Sequence, residues 1–400
     1  MTPRSLALAA AATLLTSGLA VAPALTSPAS AAPTHGDKRV CATPKAGYAA
    51  CHAHVRTLVT PDGKVRPDAS TTRTSGYISV DLKTAYGLLG KDGTATVAVV
   101  DAYASPNAEA DLIAYRAQTN LPALNPGQFV QYDQRGGSIT NVSGNTGWGQ
   151  EEMLDLEMVS AICPSCKIIY VGGDDASFVS LGTAVNTAVA KGASVVSNSY
   201  GAAEFSTENS YSGYYSHTGV AITVSSGDNG FGVEVPAAYN TVTAVGGTHL
   251  VLNANKTRQS ETVWSGAGSG CSALIGKPSF QSTTATNCSR RAVADVSAVA
   301  DPNTGVAVYD SYGSTGGANW YVFGGTSVAA PIIGAIYGLT GASTAGVPAA
   351  NAYTNRSGLF DVVSGTNVKG RCRSGNLCSA ASGWDGPTGN GAPNGSLAPF

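Results

Sequence analysis

From Tyr77 onward, short and almost continuously apolar runs alternate with stretches of helical periodicity. Thr94 to Asp101 reads as a buried strand, followed by a helix from Asn107 to Gln118. Gly149 to Ile162 is amphipathic and helical, Lys167 to Val171 a strand, and Phe178 to Ala190 a further helix. Ala193 to Ser197, Val220 to Ser225 and Thr241 to Val245 are β-branched strands, and a helix runs from Ser327 to about Leu339. Strands that are apolar on both faces, separated by helices, predict an α/β fold: a doubly wound, mainly parallel sheet with helices on both faces. No internal repeat interrupts the pattern. Residues 32–75 are polar and weakly periodic, and read as a short pro-segment or N-terminal extension. Residues 1–31 combine Arg4, an apolar stretch from Leu6 to Leu19 and the small-residue site Ala29-Ser30-Ala31, which predicts a secretory signal peptide.

Composition narrows the function classes. At 400 residues and 43% hydrophobic content the chain can bury a large core, while charged residues are scarce at 12% and the net charge is −2. No Lys/Arg run marks a nucleic-acid partner, and nothing after residue 32 is long and apolar enough to span a membrane. The eight cysteines fall into four local pairs, as expected of disulfides in an exported chain. Cys163-Pro-Ser-Cys166 also has the spacing of a redox motif, but its exported context favours a structural bridge.

The segment Phe323-Gly-Gly-Thr-Ser-Val-Ala-Ala-Pro331 carries candidate chemistry. Glycines permit a tight strand-to-helix turn. Ser327 then falls in a first helical turn, where unpaired N–H groups favour developing negative charge. An ordinary helix N-cap has the same look. A serine nucleophile needs a base, normally histidine. Here His35, His52 and His54 lie in the N-terminal extension, and His217 and His249 occur in no His-Gly-Thr segment that opens a helix. The helix Gly149–Ile162 instead places Glu151 and Asp155 four apart on one face. A solvated acidic face is the plainer reading, and Glu152 and Glu157 read that way. Asp101 ends a strand and reads as a loop-bracing carboxylate.

Taken together these segments resemble the sedolisins, the serine-carboxyl peptidases of subtilisin-like fold, across about residues 75–395. The resemblance rests on Glu151-Glu-Met-Leu-Asp155, Ser226-Gly-Asp-Asn-Gly230 and Gly324-Gly-Thr-Ser327 in that order, with Asn198-Ser-Tyr-Gly201 and Glu261-Thr-Val-Trp264 between. It implies a secreted endopeptidase, with a peptidase domain over residues 76–400, acting on peptide or protein substrates as a monomer. Ser327 is then the nucleophile, Glu151 the general base and acid, Asp155 the residue orienting it, and Asp228 the oxyanion-hole donor. An aspartate donates only when protonated, and one with the ordinary pKa near 3.9 is protonated roughly 0.1% of the time at pH 7. Activity in the acidic range follows. The resemblance also implies one structural Ca²⁺, held by the Asp361 and Asp385 carboxylates and by the carbonyls of Val362, Ala381 and Gly383, suited to a hard cation. Backbone near Ser199–Gly201 and Gly266–Gly270 suits an extended peptide added as a strand. The chain departs from the family in its short N-terminal extension, in Gly324 for a serine and in Ala381 for a glycine. A catalytically silent binding protein on the same scaffold is the alternative.

Overall fold

The computed structural model describes residues 1, 34–60, 62–314, 316–317, 319–341, 346–368, 372 and 375–400; the segment read as a signal peptide lies outside them from residue 2 onward. In the unit Thr34–Phe400 the strands that frame the site are, in chain order, β1 (Thr34–Arg39), β2 (Ala50–Cys51), β3 (His54–Val59), β4 (Thr96–Ala102), β5 (Phe129–Asp133), β6 (Lys167–Gly173), β7 (Val195–Asn198) and β8 (Tyr200–Ala203). They continue with β9 (Ala221–Ser225), β10 (Thr243–Leu252), β11 (Arg258–Val263), β12 (Val296–Val299), β13 (Val306–Tyr309) and β14 (Trp320–Gly324). The principal helices are α1 (Ala108–Gln118), α2 (Thr146–Ile162), α3 (Phe178–Ala190) and α4 (Thr326–Thr340).

The central sheet runs β11-β10-β9-β7-β4-β6-β5, with β12 also beside β10. Every pairing in it is parallel except β11 on β10. Alternation along β4 explains why the sequence reads as an unbroken apolar run. Val97 and Val99 join a core with Leu154 and Met158 of α2 and Ile333 and Ile336 of α4. Ala98 and Val100 join a second core with Leu181 and Val185 of α3. Both faces are covered, so neither can be polar. The expected doubly wound architecture holds. Helix α2 starts a turn earlier than its periodicity indicated, because the Asn145 side chain accepts the Trp148 N–H at 3.1 Å and caps the helix.

The N-terminal stretch is woven into this framework. β3 pairs antiparallel with β1 and, through Val55↔Phe323 and His54↔Gly324, with β14. β2 pairs antiparallel with β8, Cys51 opposite Tyr200 and Ala50 opposite Gly201. The cysteines pair locally as expected: Cys41–Cys51, Cys163–Cys166, Cys271–Cys288 and Cys372–Cys378. Cys163 and Cys166 are fully buried, which suits a structural bridge and not an exchanging dithiol.

One buried ion pair ties the β12 side of the sheet together. Arg291 donates from Nη1 at 2.6 Å and from Nη2 at 2.5 Å to the two oxygens of Asp295. Asp295 also accepts the Ala244 N–H at 2.8 Å and the Tyr353 hydroxyl at 2.8 Å. Removing only the cation leaves a buried carboxylate uncompensated, so Arg291→Met is expected to destabilise the fold by about 3–5 kcal/mol in chemical denaturation.

Candidate active site

The chain enters the sheet at β4, winds to β6 and β5 on one side, then returns to β7, β9 and β10 on the other. The strand order therefore reverses between β4 and β7, and in such sheets the crevice beyond the carboxyl ends at that point is where ligands bind. Asp101 lies near the end of β4, Asn198 and Ser199 at the end of β7, and Ser226 to Asp228 beyond β9. Glu151 and Asp155 on α2 and Ser327 in the first turn of α4 complete the group. All four expected catalytic residues are brought to this one place, and all are buried.

Ser327 is the second residue of α4. Its Oγ donates to the Ser199 carbonyl at 3.3 Å, and the Ser199 hydroxyl donates to Asp155 Oδ1 at 2.9 Å. Burial pushes Glu151 well above the ordinary carboxyl range and the Asp101 charge adds to it, while hydrogen bonding with Ser327 and with the Ala53 N–H pulls the other way. Glu151 Oε1 has no partner within hydrogen-bond range, so the contact between Glu151 and Ser327 is loose. Asp155 is likewise pushed up by burial, then by the charges of Asp101 and Glu151. Asp101, read from the sequence as a loop brace, has neither oxygen hydrogen-bonded; burial takes it to about 8. It belongs to the same carboxyl cluster.

Glu152 and Glu157 correct the expectation of a solvated acidic face, for both are fully buried. Glu152 accepts the Ser105 N–H at 2.5 Å and Glu157 the Tyr309 N–H at 3.0 Å. They brace loops against α2. A period count cannot distinguish an acid turned to water from one turned to a buried backbone donor.

Asp228 sits at the N-terminus of α4. Its Oδ1 accepts the Thr326 N–H at 2.9 Å and the Thr326 hydroxyl at 2.7 Å, while Oδ2 has no hydrogen bond and lies 3.4 Å from His54 Nε2. Gly325 caps the helix with φ at 100°, a conformation that favours glycine. A Cβ there would stand 1.8 Å from the His52 carbonyl oxygen and 2.8 Å from Asp228 Oδ2. Any side chain at this position would collide with both groups.

That carbonyl exposes what the sequence did not reveal. His52-Ala53-His54 crosses the site as an extended peptide. The His52 N–H donates to the Ser199 carbonyl at 3.1 Å, and the Ala53 N–H to Glu151 Oε2 at 2.9 Å. Of the two backbone edges expected to receive a peptide, Tyr200–Gly201 is paired with β2. Gly266–Gly270 is buried instead, with the Gly268 N–H donating to the Gly227 carbonyl at 2.7 Å. No motif marked His52. The one available signal was its place directly after Cys51, which the Cys41 bridge anchors.

The expected calcium ligands also converge. The Gly383 N–H donates to the Asp361 carboxylate at 3.0 Å and the Ala381 N–H to Asp385 Oδ2 at 3.4 Å. Burial, and to a smaller degree the Asp361 charge, push Asp385 up to about 7. Asp361 and Asp385 thus lie near each other, each accepting a backbone N–H from the segment 381–383. No group of three or more His, Cys, Asp or Glu side chains suited to a metal occurs among the described residues.

Comparison with known proteins agrees with this geometry. Residues 135–357 match the model of the subtilase family, Peptidase S8. Kumamolisin from Bacillus sp. (strain MN-32) is 28% identical over 380 residues, covering 86% of this chain and 66% of that protein. Sedolisin from Pseudomonas sp. (strain 101) is 33% identical over 205 residues, covering 44% of this chain and 33% of that protein. The chain thus spans under two thirds of the length of these relatives. The solved structure of Pseudomonas sedolisin, a serine-carboxyl proteinase complexed with two molecules of pseudo-iodotyrostatin, superposes with a TM-score of 0.69 at 25% identity, over 80% of this chain and 96% of that one. Sphericase, at 18% identity and a TM-score of 0.51, shares the fold. The chain belongs to the subtilase family and, within it, to the sedolisins.

Proposed function

We propose that this chain is a secreted serine-carboxyl endopeptidase that hydrolyses peptide bonds at acidic pH. The observation that carries the reading is the Ala53 N–H held by Glu151 while the His52 N–H is held by Ser199, a peptide bond of the chain itself lying against the reacting groups. Glu151 takes the Ser327 proton as Oγ attacks the carbonyl carbon. The oxyanion forms on the Gly325 side, where Asp228 Oδ2 donates its proton in a hydrogen bond. Glu151 then passes its proton to the departing nitrogen, which occupies the place of Ala53 N, and the C–N bond opens. Water attacks the Ser327 ester, gives its proton to Glu151, and the serine recovers its own. Asp155, fixed by Ser199, holds Glu151 in position. Residues 32–52 act in this reading as a cover that must leave the cleft before another peptide enters.

Asp361 and Asp385, with the carbonyls of Val362, Ala381 and Gly383, would hold one Ca²⁺. The ion supplies positive charge where two carboxylates face each other, and its role is structural. Chelation is expected to lower the melting temperature by several degrees, and excess Ca²⁺ to restore it. Asp385→Asn is expected to abolish that response.

For activity, hydrolysis of a denatured protein substrate between pH 2.5 and 8 is expected to peak below about pH 5. Glu151→Ala and Ser327→Ala are each expected to reduce it by ~10³-fold or more. A neutral optimum that survives Glu151→Ala contradicts the mechanism, and a folded wild-type chain inert at every pH favours the silent scaffold.

Stability is expected to follow the same axis. Asp101 has a folded pKa raised to about 8, so the native state holds a proton that the unfolded chain releases near pH 4. That contribution is complete below about pH 4 and is lost as pH rises towards 8. Asp310, at about 7, acts in the same sense. Scanning calorimetry is expected to show a melting temperature falling over this window, with a shallower fall in Asp101→Asn.

A further inference from the structure

The side chain on the acyl side of the bond lying in the site is the His52 imidazole, and it fills a closed pocket. The ring is fully buried. Nδ1 lies 2.6 Å from Ser225 Oγ and Nε2 lies 2.9 Å from Glu234 Oε2. Glu234 Oε1 in turn accepts the Asn229 side-chain N–H at 2.8 Å, which fixes the carboxylate's orientation. Two glycines form the walls. A Cβ on Gly201 would come within 2.9 Å of the imidazole, and one on Gly227 within 2.8 Å of Glu234 Oε1. Both ring nitrogens therefore have a partner, and no room remains for a larger neighbour.

We infer that Glu234, with Ser225, is a specificity determinant that selects a histidine immediately before the bond to be cut. The inference rests on the peptidase reading above and adds its substrate class: peptides with an imidazole on the acyl side. An imidazole satisfies a carboxylate acceptor on one nitrogen and a hydroxyl on the other in a single plane. An aliphatic or aromatic side chain in the same pocket would bury the Glu234 carboxylate and the Ser225 hydroxyl without partners, which is the costly arrangement for a polar pocket. A lysine would supply charge to Glu234 but only a single point donor, and would leave the planar arrangement unmatched. Burial acts to raise the Glu234 pKa, but the His52 charge and the hydrogen bonds from His52 and Asn229 outweigh it and hold the carboxyl below its ordinary range. With the imidazole in place the Glu234 carboxyl is therefore held as an anion.

The test uses the full secreted chain, its N-terminus read by mass spectrometry, on peptides that differ only in the residue before the cut: histidine, lysine or leucine. At acidic pH kcat/KM for the histidine peptide is expected to exceed that for leucine by about 10²-fold. Glu234→Gln is expected to collapse this ratio at least ~10-fold, and Glu234→Asp to restore part of it. Because the ratio is independent of the folded fraction, a purely structural Glu234 would lower all three peptides together and overturn the inference. If Glu234→Gln does not fold, Ser225→Ala is expected to reduce the same ratio, and an unchanged ratio there also overturns it. Equal cleavage of all three peptides by the wild type overturns the selectivity and leaves the peptidase reading standing. No cleavage of any peptide by folded protein overturns both.

Discussion

The structure depends on burying the carboxylates of one helix. Glu151, Glu152, Asp155 and Glu157 of α2 are all fully buried, and Asp101 lies beside them. Exposed, such a row would cost a few tenths of a kcal/mol per like-charge pair. Buried and ionised, each would cost several kcal/mol. Desolvation therefore outweighs repulsion, and burial drives all five upward in pKa. What makes the arrangement tolerable is that four of them have a donor: the N–H groups of Ala53, Ser105 and Tyr309 and the Ser199 hydroxyl. Those donors come from segments far apart in the chain, so the helix also positions the segments around it. A preference of the folded state for acidic conditions is then a property of the fold itself.

How much of this was legible in the sequence follows from which interactions are local. The strands β4, β7 and β9 were readable because burial on both faces forces runs of Val, Ile and Ala. Ser327 and the Glu151–Asp155 pair were readable because a helix fixes spacing. Glu152 and Glu157 were not, since their donors lie about fifty and a hundred and fifty positions away. The N-terminal strands were opaque for the same reason. β2 and β3 are held in part by β8 and β14, distant in sequence, and strands of two and six residues with such partners are too short to show a period of their own. His52 and His54 were therefore set aside as part of an extension, although folding brings both to the site.

That placement couples the cover to the chemistry. Burial is the largest cause of the upward shift at Glu151, and residues 52–54 are part of what buries it, with the Ala53 N–H pulling weakly in the opposite sense. Loss of residues up to His52 leaves the Ala53 N–H in place and removes part of the burial: water reaches the carboxyl and its pKa falls. On the serine-carboxyl reading proposed above, Glu151 then accepts the Ser327 proton more readily in acidic solution than it does with residues up to His52 in place. Opening the cleft and exposing the Glu151 carboxyl would then be one event, because a single segment supplies both the occupant and part of the burial.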